Sequence, residues 1–115
     1  MSSEAAQLIS FPLKVTLQAM SERTRALIEY YVVRSNNRYF ALADNVDTPE
    51  LFIIDHDHPG TAARVAAGDW PSDIPLIVLA GGNHQIDGAI VVRKPLDSAS
   101  LEIAAAAALK QINDN

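Results

Sequence analysis

The stretch LFIIDHDHPG, residues 51 to 60, sets two carboxylates and two imidazoles directly behind four apolar residues. Asp55, His56, Asp57 and His58 are followed at once by Pro59-Gly60, and the third histidine of the chain, His84, lies in the segment AGGNHQIDG. Three kinds of chemistry compete for such a cluster. A carboxylate at the end of a buried strand can accept a phosphoryl group. A His-x-His pair with neighbouring carboxylates supplies proper Zn²⁺ or Ni²⁺ ligands, here His56, Asp57, His58 and His84. The cluster can also be the remnant of an older active site. In an extended chain His56 and His58 share one side and Asp55 and Asp57 the other, so nothing in the spacing forces four ligands together. No HExxH-grade or CxxC-grade spacing is present, and the chain has no cysteine.

The elements that must position these residues follow from hydropathy and punctuation. Residues 1 to 11 read as a loose or separately docked arm, and residues 12 to 115 as one domain. LKVTLQAM (13 to 20) reads as a first strand. Ser21 offers an N-cap and Glu22 an acid in the first turn, so SERTRALIEYYVVRS reads as a helix whose apolar set is Ala26-Leu27, Tyr30-Tyr31 and Val33. RYFALAD (38 to 44) is a second strand, and NVDTPE is too short for a full helix. LFIID is the third strand. TAARVAAG is a small-residue helix ended by Gly68. LIVLAGG (76 to 82) and AIVVR (89 to 93) are the fourth and fifth strands. Asp97 or Ser98 caps a last helix, SASLEIAAAAALKQI. Strands three to five are near-continuous apolar runs, which predicts a parallel sheet covered on both faces in an α/β domain. Gly81-Gly82-Asn83 and Gly88 read either as a phosphate-cradling turn or as a tight turn in place of a helix. No helix clearly follows them, which favours the turn.

The totals bound the partners. A chain of 115 residues suits one domain, and 49% hydrophobic with 20% charged residues suits a packed core. A net charge of -5 without a Lys/Arg run argues against direct nucleic-acid binding. MSSEAAQLIS has no basic n-region, and no apolar run reaches the roughly 18 residues of a membrane span, so a soluble, cytoplasmic protein without membrane association is expected.

The order of these segments resembles the receiver domain of two-component response regulators, over roughly residues 13 to 112. Three motifs carry the resemblance: Ile53-Ile54-Asp55 followed by Pro59-Gly60, Pro75-Leu76-Ile77-Val78-Leu79, and Arg93-Lys94-Pro95-Leu96. It implies a flavodoxin-like, doubly wound, five-stranded parallel sheet in the order 2-1-3-4-5. It also implies that Asp55 stands at the phosphoacceptor position and Lys94 at the phosphate-partner position. In that chemistry a carboxylate forms an acyl phosphate, and a divalent cation with a lysine neutralises the crowded charge.

The same resemblance marks the departures. The metal-binding acids fall at Ala19 and Met20, the hydroxyl residue at Ala80 and the switching aromatic at Val91. None of these can do its task, and Mg²⁺ is not expected to bind. The helices between strands two and three and between strands four and five are short or missing. The expectation is therefore a degenerate receiver, or pseudo-receiver, with reduced helices. It would not be an enzyme and would need no cofactor, acting as a signal-transduction and protein-interaction module. Its partner would be another protein, an attached output domain or a second copy. The last helix supplies the expected dimer face: Leu101, Ala105, Ala106, Ala108, Leu109 and Ile112. Alanine also packs flat on a sheet as the best helix former, and that alternative stands beside the dimer. Two other functions remain in view: an unorthodox phosphoacceptor using Asp55 with Lys94, and a small metal-binding protein using the DHDH loop.

Overall fold

The structure, a computed structural model, describes residues 11–34, 38–42, 49–82 and 84–114. The expected arm falls on residues 1 to 11, and all but Phe11 lie outside the described residues, as does most of NVDTPE. Phe11 itself packs edge-on against Tyr39, with ring centroids 4.8 Å apart.

The described residues form five strands and three helices, in the order β1 (Leu13–Gln18), α1 (Glu22–Arg34), β2 (Phe40–Leu42), β3 (Leu51–Asp55), α2 (Thr61–Ala66), β4 (Leu76–Ala80), β5 (Ile90–Arg93) and α3 (Ser98–Asn113). All strand pairs are parallel and the sheet order is β2-β1-β3-β4-β5. This is a flavodoxin-like α/β architecture. The order reverses between β1 and β3, so a crevice opens at their carboxyl ends.

The apolar runs find their reason in this order. β3 lies between β1 and β4, and all five of its residues are buried. Its alternate side chains serve two layers. Leu51 and Ile53 join Leu13, Val15, Leu17, Ile77, Leu79 and Val92 in one cluster with Ile28 and Tyr31 of α1 and Leu101, Ala104, Ala105 and Ala108 of α3. Phe52, Ile54, Val78 and Ala80 are buried on the opposite face. That face lies under the short α2 and the segment after it, from which the Trp70 indole N–H reaches Gln18 Oε1 at 3.0 Å. Trp70 is held from its other neighbour by the Arg64 guanidinium, 4.4 Å from the ring centroid.

Both expected caps form. The Ser21 hydroxyl accepts the Thr24 N–H at 3.1 Å, and Asp97 Oδ1 accepts the Ser100 N–H at 2.7 Å. The phase of both long helices differs from expectation. In α1 the core stripe is Ile28 and Tyr31, while Leu27, Tyr30 and Val33 are 57%, 64% and 68% exposed. In α3 the dimer face is corrected at three positions. Leu101, Ala105 and Ala108 are buried against the sheet of the same chain and cannot meet a second one. Leu109 and Ile112 are half-buried against that core, and of the six only Ala106 is exposed, beside Ala107 and Ile103. The cause is the sheet's demand for a close neighbour: alanines let α3 lie near β5 and β4, and so they turn inward.

Between β4 and β5 the described residues form turns and no helix. Among the described residues β5 pairs only with β4, and its Ile90 and Val91 are half-buried rather than buried. Of the three apolar strands, β5 is thus the least covered. Among the described residues no helix is long and apolar enough to cross a membrane.

Candidate functional site

Parallel strands deliver their last residues to one edge, and four of them meet here. The Asp55 N–H donates to the Ala19 carbonyl at 3.2 Å, the His56 N–H to the Leu79 carbonyl at 2.8 Å, and the Lys94 N–H to the Ala80 carbonyl at 2.8 Å. The main chains after β1, β3, β4 and β5 are therefore locked together where the crevice opens. Asp55, at the end of the most buried strand, is 4% exposed. Its Oδ1 accepts the Lys94 ammonium at 2.8 Å and the Asp57 N–H at 3.0 Å. The second bond is a side-chain-to-backbone turn of the kind aspartate favours at i to i+2. It bends the chain sharply out of the strand.

That bend decides where the rest of the loop goes. Asp57 swings toward β4 and β5, where its Oδ2 accepts the Gly81 N–H at 2.8 Å and lies 3.2 Å from Lys94 Nζ. His56 lies against His84, with ring centroids 4.5 Å apart and planes inclined by 43°. The His58 N–H closes back on the Asp55 carbonyl at 3.1 Å. The metal expectation is corrected accordingly: the turn sends Asp57 to Lys94 and His56 to His84, and the four side chains do not converge. Among the described residues, no group of three or more His, Asp or Glu side chains is placed to hold a metal ion.

Charge follows this wiring. Burial works against the Lys94 ammonium, but hydrogen bonds to Asp55 and Asp57 outweigh it and hold its pKa above the usual lysine value. Burial likewise works against the Asp57 carboxylate, and the Lys94 ammonium with the Gly81 N–H outweigh it, so its pKa lies below the usual range. The sign of each linkage is definite. Asp57 adds stability above its ordinary pKa that is lost as pH falls through the depressed value. Lys94 adds stability below its ordinary pKa that is lost as pH rises through the raised one. The Asp57 side chain is 44% exposed, so its share is small.

The positions singled out as departures are also placed. Ala19 sits beside Asp55 with φ 52°, the left-handed region that an L-residue enters at a cost. Met20 is half-buried against the α1/α3 core. Ala80 is fully buried at the end of β4. Val91 is half-buried on the side of β5 where no helix stands, beside Gly82 and His84. Neither Ala19 nor Met20 carries an oxygen on its side chain, so these two positions offer a cation no carboxylate.

Ala19 yields a direct prediction. Left-handed backbone costs a residue with a Cβ about 1–2 kcal/mol, and glycine forfeits roughly 0.5–1 kcal/mol of unfolded-state entropy. Ala19→Gly should therefore stabilise the fold by about 0.5–1 kcal/mol. Urea denaturation should show a higher midpoint with an unchanged slope, and a lower midpoint would refute the strain.

The bond from Gly81 to Asp57 is the part of the site that sequence reasoning missed. In the sequence Asp57 reads as a metal ligand and Gly81 as part of a phosphate-cradling or a plain tight turn, with nothing that joins the two. The available signal was an aspartate two residues past the strand-end acid, within reach of the lysine that the acid itself needs. Searches of the chain against protein-family models, curated proteins and solved structures find no match.

Proposed function

We propose that this chain is a receiver-like module that signals by binding and has given up phosphoryl transfer. The observation that supports this most is the pairing of Asp55 with Lys94 at 2.8 Å beside a β1 end that offers Ala19 and Met20 in place of acids. Acyl phosphate formation needs positive charge to offset the incoming group. Here the single lysine already serves two carboxylates, and Ala19 and Met20 offer no carboxylate to Mg²⁺, which takes hard oxygens. The flavodoxin-like sheet order agrees with the resemblance of the three motifs. Titrating Mg²⁺ and then acetyl phosphate while following Trp70 fluorescence is the first test, because the indole is tied to Gln18 next to Ala19. No saturable change is expected, and a saturable Mg²⁺ response lost in Asp55→Asn would overturn the reading.

A second reading, an unorthodox phosphoacceptor, is favoured by one detail. Among the described residues, the hydrogen bonds from Lys94 and the Asp57 N–H both fall on Asp55 Oδ1, which leaves Oδ2 for a nucleophilic role.

The binding surface belongs to the same proposal. β5 is an edge strand, and the groove between it and α3 is lined by Ile90, Val92, Ile103, Ala104 and Ala107. Ile103 is 72% exposed. Exposed apolar surface at a sheet edge favours a partner, and a second copy presents the same edge and the same groove. A homodimer over β5 and the outward residues Ile103, Ala106 and Ala107, burying about 1,200–2,000 Å² in total, is the expected form. Sedimentation equilibrium should show it, and Ala107→Glu, inside the groove, should return the protein to monomer. A wild-type monomer at high micromolar concentration would remove the dimer from the account.

A further inference from the structure

Asp57 is the side chain of the site to which the reading above gives no task. Its Oδ2 collects two donors that come from different strands: the N–H of Gly81, the first residue past β4, at 2.8 Å, and the ammonium of Lys94, the first residue past β5, at 3.2 Å. A backbone N–H and an ammonium aimed at one point form the kind of niche that holds a negative oxygen. Space is kept for it: a Cβ on Gly81 would stand 3.1 Å from that same Oδ2. The raised pKa of Lys94 and the lowered pKa of Asp57 agree with a filled niche.

From this geometry we infer that Asp57 is an internal anion, filling a niche of the Gly81 N–H and the Lys94 ammonium that, once vacated, takes an oxygen of a small oxyanion such as phosphate. The inference rests on the receiver-like reading and deepens it. A niche occupied by the chain's own carboxylate ties the ends of β3, β4 and β5 into one arrangement, and no modification is needed to hold it. Two carboxylates and one ammonium also leave the site with a surplus negative charge, which repels a free oxyanion.

The charge ladder supplies the test. With ¹⁵N-labelled protein, inorganic phosphate is titrated while the Gly81 amide resonance is followed. The wild type should show no saturable shift. Asp57→Ala should show weak binding, because Asp55 still balances Lys94. Asp55→Asn/Asp57→Ala, with the ammonium alone, should bind about tenfold tighter or more. Adding Lys94→Met to that pair should abolish binding. The half-exposed Asp57 side chain tolerates truncation, and Asp57→Ser carries the same titration should the alanine variant lose its native spectrum. Phosphate shifting Gly81 in the wild type as in Asp57→Ala would mean that Asp57 does not fill the niche. A Gly81 amide that phosphate moves in none of the variants would mean that there is no niche. A phosphoryl adduct on wild-type Asp55 would overturn the functional reading alone, so the two ideas fail in separate measurements.

Discussion

Lys94→Met should destabilise the protein by about 2–4 kcal/mol, the largest effect expected of any single change at the site. The reason is asymmetry of exposure. The Asp55 side chain is 6% exposed and that of Lys94 28%, at a distance of 2.8 Å. Removing the ammonium leaves a nearly buried carboxylate with one remaining donor, the Asp57 N–H. The loss falls toward the low end of the range for buried pairs because water reaches the lysine. Asp55→Asn in the same background removes the stranded charge, so the double variant should recover part of the loss. The double-mutant cycle should give a coupling of about 0.5–3 kcal/mol. Additive effects in urea denaturation would mean that the two groups do not meet, and the strand-end geometry would fall with them.

Alkaline titration should produce the second large effect, in the α1/α3 core. Burial first, and then the Glu102 carboxylate and Tyr39, push the Tyr31 phenol up to about 12. Tyr31 is 8% exposed in the α1/α3 core. Its folded pKa lies above the ordinary value of about 10, so the native state holds the proton more tightly than the unfolded chain. The stabilisation is fully present below about pH 10 and is lost between about pH 10 and 12. Stability should fall there by as much as about 1.4 kcal/mol per pH unit from this group. Lys94, with its raised pKa, adds to the fall in the same direction. Tyr31→Phe should flatten the slope by one proton's worth while Lys94→Met leaves the Tyr31 portion in place. An unchanged slope in Tyr31→Phe, measured by denaturation from pH 8 to 12, would contradict the buried phenol.

Those two predictions rest on features that differ in how far the sequence revealed them. The Asp55–Lys94 pair was legible. An unbroken LFIID run reads as a doubly covered strand with its acid at the end, and the resemblance of Arg-Lys-Pro-Leu to the receiver motif implies that Lys94 reaches that acid from the end of the last strand, two strands away. The five-strand order was implied by the same resemblance, carried by motifs on the third, fourth and fifth strands. The helix phases were not. In α3 the stretch Ala104 to Ala108 carries no amphipathic contrast, so nothing along the chain says that Ala104, Ala105 and Ala108 turn inward while Ala106 and Ala107 turn out. In α1, apolar residues occupy Leu27, Ile28, Tyr30, Tyr31, Val32 and Val33, and such a wide stripe leaves the core side undecided. Tertiary contact with β1 and β2 selects Ile28 and Tyr31. The Asp57–Gly81 bond lay furthest from the sequence, because it depends on one turn. The Asp55 side chain captures the Asp57 N–H and rotates the loop toward β4. Without that hydrogen bond Asp57 would continue along the strand direction with the other side chains of its side.

On the function proposed above, Asp55 and Lys94 keep the geometry of a phosphoacceptor site without its chemistry. Intact-mass spectrometry of the wild type and Asp55→Asn, incubated with acetyl phosphate and millimolar Mg²⁺, tests it most directly. Both proteins should keep their unmodified mass over the whole time course. A stoichiometric phosphoryl adduct on the wild type that is absent from Asp55→Asn would contradict it.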